Sequence, residues 1–166
     1  MNLEEFYDYK NLLMSDLCHN EAIVKMVTGN NDASVPNHQL PYTQIFPYEF
    51  VPETENDART FICFDVDIIS VPSKTYYVPV LYIWIFSHKS RMRLPEGGVL
   101  LDKLSAEIDK MLSGNRFYGL GQLKLNSVGR FAPTTDFLGR AMTYTALDFN
   151  NMSAVRNTPS NRKRGL

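Results

Sequence analysis

The sequence predicts a single α+β domain, an antiparallel or mixed β-sheet flanked by an N-terminal helix and a second helix. Three observations carry this. Apolar residues near the N-terminus recur at three/four spacing, two consecutive central segments alternate β-branched and aromatic residues, and a second helical stripe separates these from two further strand-like segments. Internal repeats are absent, and 166 residues are enough to bury a sizeable core as one unit.

The first helix is expected over residues 3–28. Leu3, Phe6, Tyr7, Lys10, Leu13, Met14 and Leu17 form its stripe, with the Lys10 stem completing it. Ile23, Val24 and Val27 continue the stripe after a break near Cys18-His19-Asn20, and Gly29-Asn30-Asn31-Asp32 stops it. Residues 33–60 lack periodicity and carry Pro36, Pro41, Pro47 and Pro52. An ordinary connector has about 4–6 residues, so a loop of this length reads as a binding or interlocking element. Within it, Ile45-Phe46-Pro47-Tyr48-Glu49-Phe50-Val51-Pro52 offers aromatic anchors on a stiffened, extended backbone.

Phe61 to Val71 reads as a strand, with Ile62, Phe64, Val66 and Ile68 on one face and Phe61, Cys63, Asp65 and Asp67 on the other. A turn at Pro72-Ser73-Lys74 leads into Tyr76 to Ser87, apolar on both faces and therefore expected to be covered on both. A second helix over Val99 to Ser113 carries Leu100, Leu101, Leu104, Ile108, Met111 and Leu112, with Gly114 as its stop. Strands over Gln122 to Phe131 and Gly139 to Leu147 complete a domain of residues 1–150.

Residues 151–166 read as a flexible basic tail. The last eleven residues hold Arg156, Arg162, Lys163 and Arg164 and no acid, which leaves a body of net −5 and a tail of +4. Such a segment stays unordered until something acidic holds it. It reads either as a solvated terminus or as an arm that meets a neighbouring subunit or nucleic acid.

Composition excludes several classes. At 44% hydrophobic and 21% charged, the chain is neither collagenous, nor a long coiled coil, nor disordered throughout. Its longest apolar run, Tyr76 to Phe86 with Pro79 inside it, is too short to span a membrane, and the N-terminus lacks the pattern of a secretory leader. Two cysteines make no disulfide framework, which favours a reducing compartment such as a cytoplasm.

The search for chemistry predicts no catalytic residue, no metal site and no cofactor. Asp65 and Asp67 share a strand face roughly 7 Å apart, a spacing that suits Mg²⁺, but no downstream acid-x-lysine pattern completes a nuclease. His19, His38 and His88 are scattered, and Cys63 within a strand reads as a small buried hydrophobe. Gly119-Leu120-Gly121 precedes a strand rather than opening a helix, the wrong place to cradle phosphate. The basic run Ser87 to Arg93 reads as a solvated turn or, alternatively, as a contact for phosphate or an acidic partner.

What remains is surface. Nine tyrosines and ten phenylalanines are a rich supply, and several lie outside the core stripes. Phe46, Tyr48 and Phe50 in the loop, with Tyr82 and Trp84 on the second strand, are the candidate subunit or partner contacts. A long aromatic loop, a two-faced strand and a basic tail favour an assembly subunit over a free monomer.

The stretches from Pro47 to Pro52 and Thr60 to Val66 resemble small neck proteins of tailed bacteriophages and prophages. So do Leu81-Tyr82-Ile83-Trp84-Ile85-Phe86-Ser87-His88 and Gly98 to Asp109. Length and element order are similar to those of tail terminator (tail-completion) proteins. The resemblance implies a viral structural protein that closes into a ring, expected to be a hexamer, on the last ring of the tail tube. It implies two partners besides other copies of the chain, the tail tube protein and the head–tail connector or stopper. It also implies a place in the virion neck after assembly in the host cytoplasm, with double-stranded DNA passing through the ring. Asp65 and Asp67 then suit an acidic lumen that DNA slides past, and the tail arginines and lysine suit contacts beyond the subunit. A head-closure or stopper protein, a monomeric module binding through residues 33–60, and a Mg²⁺-dependent nuclease are the alternatives.

Overall fold

The computed structural model describes residues 4–29, 39–53, 57–70, 76–116, 118, 121–146 and 148–149. Arg156, Arg162, Lys163 and Arg164 lie outside the described residues, as does the early part of the long loop.

The expected N-terminal helix is two helices, α1 (Glu4–His19) and α2 (Glu21–Thr28). The break sits at Asn20, whose side chain accepts hydrogen bonds from the amides of Ala22 and Ile23 and so caps α2. Gly29 ends α2 in the left-handed conformation at φ 84°, with its amide donating to Lys25 O. A tight turn then wraps Leu40, whose carbonyl accepts from Thr43, Gln44 and Ile45.

The sheet follows. Ile45–Phe46 is a short strand, β1, parallel to β2 (Thr60–Ser70), and β2 runs antiparallel to β3 (Tyr76–His88). After α3 (Leu100–Leu112), β4 (Lys124–Phe131) and β5 (Phe137–Thr145) form an antiparallel pair that joins the sheet through β5. The strand order is β1-β2-β3-β5-β4, with β6 (Asp148–Phe149) pairing onto the start of β3. The α+β architecture is thus established, with β3 at its centre. The long loop is shorter on structure-free residues than its composition suggests, because β1 uses Ile45 and Phe46 to extend the sheet.

All three helices cover one face. There Ile62, Phe64, Val66, Leu81, Ile83, Ile85, Met142 and Tyr144 meet Leu13, Leu17, Ile23, Val27, Leu104 and Ile108 in one buried cluster. Each such side chain contributes about 1.5–3 kcal/mol by leaving water. Buried polar atoms in this layer are matched. Gln44 Nε2 donates to Val27 O at 2.9 Å and Thr60 O at 3.0 Å, tying the end of α2 to the edge of the sheet. The Tyr144 hydroxyl donates to Asp109 at 3.0 Å, and the Tyr118 hydroxyl donates to Asp16 at 2.7 Å.

Candidate functional site

The opposite face of the sheet is where the fold leaves chemistry unspent. Strand alternation places Phe61, Cys63, Asp65 and Asp67 of β2 there, level with Phe86, Trp84, Tyr82 and Val80 of β3. Across β5 and β4 the same rows continue as Gly139 and Phe131, Ala141 and Gly129, and Thr143 and Ser127. One end of this face is filled and the other is open.

At the filled end, Phe46, Phe61, Cys63, Phe86 and Phe137 form a second buried cluster, with Phe50, Trp84 and Phe131 packed against it. Phe50 stacks on Phe46 with ring centroids 4.0 Å apart, and Phe61 and Phe86 stack at 5.2 Å. Such pairs add about 0.5–1.5 kcal/mol beyond area burial. Residues 47–53 therefore form a ridge pinned to the sheet. The loop aromatics separate accordingly. Phe46, expected as a partner contact, is only 4% exposed and serves this chain's own interior, because β1 aims it into the cluster. Phe50 is half-buried, and Tyr48 remains open at 46%.

At the open end, Tyr82 and Trp84 are half-buried and lie flat against one another, centroids 5.7 Å apart and planes 9° apart. Beside them the floor is made of small side chains, Ala141, Thr143, Ser127 and Gly129. A Cβ built on Gly129 would meet nothing within 4 Å. Nearly every residue of β4 is exposed, on both faces. Tyr82, Trp84, Ala141 and Thr143 are partly exposed here and Ser127 and Gly129 more so, while Val80 in the next row is buried. The expectation that β3 is covered on both sides thus holds on the helix face and only part of the other.

The two edges of the sheet also differ. On β2, Ile62 donates its amide to Gln44 O, so by alternation the Val66 amide also points outward. It is answered by the carboxylate of Asp65, Oδ1 at 2.7 Å. That carboxylate in turn holds Lys10 at 2.6 Å, and Lys10 also donates to Pro47 O at 3.1 Å. Lys10, whose stem completes the apolar stripe expected from the sequence, ends in an ammonium that clamps this edge. On β4, the same alternation turns the backbone groups of Val128 and Arg130 outward, with no described partner.

The chemistry candidates separate on the same grounds. Asp65 is engaged with Lys10, while Asp67 is exposed. Among the described residues no three His, Cys, Asp or Glu side chains converge as a metal site. Burial pushes the Cys63 thiol up to about 12 and the Cys18 thiol to about 11, which makes both poor nucleophiles near neutrality. His19 and His88 hydrogen-bond locally, to Ser15 O and Ser90. A cleft of about 580 Å³ opens between α2, α3 and residues 91–96. Its most buried cation, Arg91, donates to Met26 O and Val27 O at the end of α2, and burial lowers its pKa. Lys103 there pairs with Glu96 at 2.5 Å. No described helix is long and apolar enough to cross a membrane.

The small-residue floor and the two-sided exposure of β4 were not legible in the sequence. Its apolar residues, Leu123, Leu125 and Val128, suggest a covered strand, yet only Leu123, just before β4, is buried.

The YomW family model matches residues 20–146, which span α2, α3 and strands β1 to β5. The match takes in well over half of the chain, and the chain belongs to the YomW family. No curated protein matches it.

Proposed function

We propose that this YomW-family chain is a structural assembly subunit that works without turnover, of the kind that closes into a ring in the neck of a tailed bacteriophage. In the specific form of this reading it is a tail terminator. Six copies cap the tail tube, join it to the head–tail connector or stopper, and leave a channel for double-stranded DNA. The observation that carries the reading is the open half of the sheet, with Tyr82 stacked on Trp84 beside a strand exposed on both faces. Aromatic side chains held rigidly at a surface suit protein contact, since little freedom is lost on binding. A ring also requires two different patches per subunit, and the pinned ridge and the open floor are such a pair.

The acidic body supports passage of DNA without adhesion, with Asp67 the exposed acid of this strand and Asp65 already neutralised by Lys10. The basic residues Arg156, Arg162, Lys163 and Arg164 then suit, by their charge, contact with a neighbour or with DNA. Native mass spectrometry with negative-stain imaging of the same sample tests the reading. Six-fold rings with an open centre are expected, formed alone or on added tail tubes. A monomer at every concentration that also fails to bind tail tubes would overturn it.

A further inference from the structure

We propose that the floor of Ser127, Gly129, Ala141 and Thr143 beside Trp84 receives the ridge around Tyr48–Val51 of a second copy of this chain. This rests on the assembly reading and names the surfaces that join one subunit to the next.

Shape is the first argument. Ridge and floor lie on one sheet face, the ridge over β1 and β2 and the floor over β5 and β4. Strands are about 4.8 Å apart, so roughly 10–14 Å separates them within one subunit, and a ridge pinned through Phe50 cannot cross that distance. The ridge that fills the floor must come from another molecule. Pinning also removes most of the ordering cost of docking, because Tyr48 and Val51, 46% and 45% exposed, are presented from a fixed backbone. Tyr48 meets the edge of the Tyr82–Trp84 stack, and the absence of a side chain at Gly129 leaves the space that it needs.

Charge is the second argument. The ridge carries Glu49 and Glu53, both exposed, and the floor is bounded on β4 by Lys124, also exposed and level with Thr145 on the same face. None of the three is ion-paired among the described residues, and the pairing puts opposite signs together. The edges give a third argument. Lys10 and Asp65 close β2 against strand addition, whereas Val128 and Arg130 of β4 keep outward backbone groups that an extended segment such as 48–51 can meet.

The test mixes two singly substituted full-length chains, Tyr48→Cys and Ser127→Cys, under mild oxidation and reads mixed disulfide dimers by intact mass. Cys18 and Cys63 are buried and stay silent. The expected yield is at least tenfold above that of Tyr48→Cys mixed with Leu138→Cys, an exposed position on the helix face. In parallel, Gly129→Glu has room for its side chain and places a carboxylate against Glu49 and Glu53. It should keep the parent's circular dichroism and melting temperature while needing at least tenfold more protein to assemble. Rings that persist with the cross-link no better than the control, or Gly129→Glu assembling like the parent, would overturn the inference and leave the assembly reading intact. Cross-linked closed pairs in place of rings would support the inference and overturn the ring. A parent monomeric at every concentration would overturn the second copy as occupant, and binding to tail tubes would then judge the assembly reading alone.

Discussion

On the face that carries the helices, Phe64, Ile83 and Met142 sit side by side across three strands, each almost completely buried. One residue along the same strands, on the other face, Cys63 is buried under Phe50, Trp84 is half-buried, Ala141 is half-buried and Gly129 is exposed. The same backbone therefore supports a sealed layer on one side and a graded surface on the other. The first is what folding requires of a chain this size. The aromatic cluster at one end of the second adds to stability, but its open part does not, because leaving Trp84 partly in water forgoes burial energy that a longer loop would have recovered. The division separates stability from interaction, and substitutions on the two faces should separate in the same way.

The largest expected effect is the contrast between Phe64→Ala and Trp84→Ala. Phe64 is fully buried between sheet and helices, so its loss should cost about 3–5 kcal/mol in urea denaturation. Trp84→Ala gives up half a burial and one stacked partner and should cost about 2 kcal/mol, with assembly suffering more. Equal losses of stability would mean that the second face is sealed too, and the comparison would break.

A smaller effect sharpens it through pH. Burial first, and then the hydrogen bonds to Asp109 and Asp16, push the hydroxyls of Tyr144 and Tyr118 well above the ordinary tyrosine value of 10.0. The unfolded chain loses these protons as pH passes about 10, while the native chain keeps them. The stability they contribute is complete below that pH and declines as pH rises beyond it. Tyr144→Phe should cost about 1 kcal/mol at neutral pH and flatten the alkaline decline. Denaturant midpoints across the alkaline range measure both, and an unchanged slope in the double variant with Tyr118→Phe would assign the decline elsewhere.

How much of this was legible in the sequence follows the same division. Periodicity located the helices and the long strands of the sealed face, since Leu13, Leu17, Leu104 and Ile108 sit at helical spacing and Ile62, Phe64 and Val66 alternate. It missed β1, whose Ile45 joins the same cluster from within the expected loop. Helix α2 separated from α1 where Asn20 signals a break. The open face was legible only in its aromatics. Tyr82 and Trp84 stand out by residue type, but Phe46 carries the same signal and is interior, because pairing with β2 decides its direction and no local pattern encodes that pairing. Ser127, Gly129 and Ala141 give no signal at all. They matter for what they lack, and a gap becomes visible only when the neighbouring strands are placed beside it. The Lys10 clamp was hidden for a related reason: the stem fits an apolar stripe, while the partner of its tip, Asp65, is 55 residues away.

The smallest expected effect tests the edges rather than the faces. Lys10 and Asp65 are 27% and 38% exposed, so solvent and salt weaken their attraction, and Lys10→Met should change stability by no more than about 1 kcal/mol. Its consequence should appear in self-association. The Asp65 carboxylate keeps its bond to the Val66 amide, but without Lys10 it is no longer clamped across the strand, and the outer side of β2 becomes open to pairing as β4 already is. Light scattering during gentle heating should then show Lys10→Met aggregating at lower temperature than the parent, and Lys10→Met/Asp65→Asn sooner still. High salt should bring the parent toward the variant by screening the pair. If both variants scatter like the parent, the edge of β2 is guarded by something other than this clamp. The asymmetry of the sheet would then rest on its faces alone, on the pinned ridge at one end and the open floor at the other.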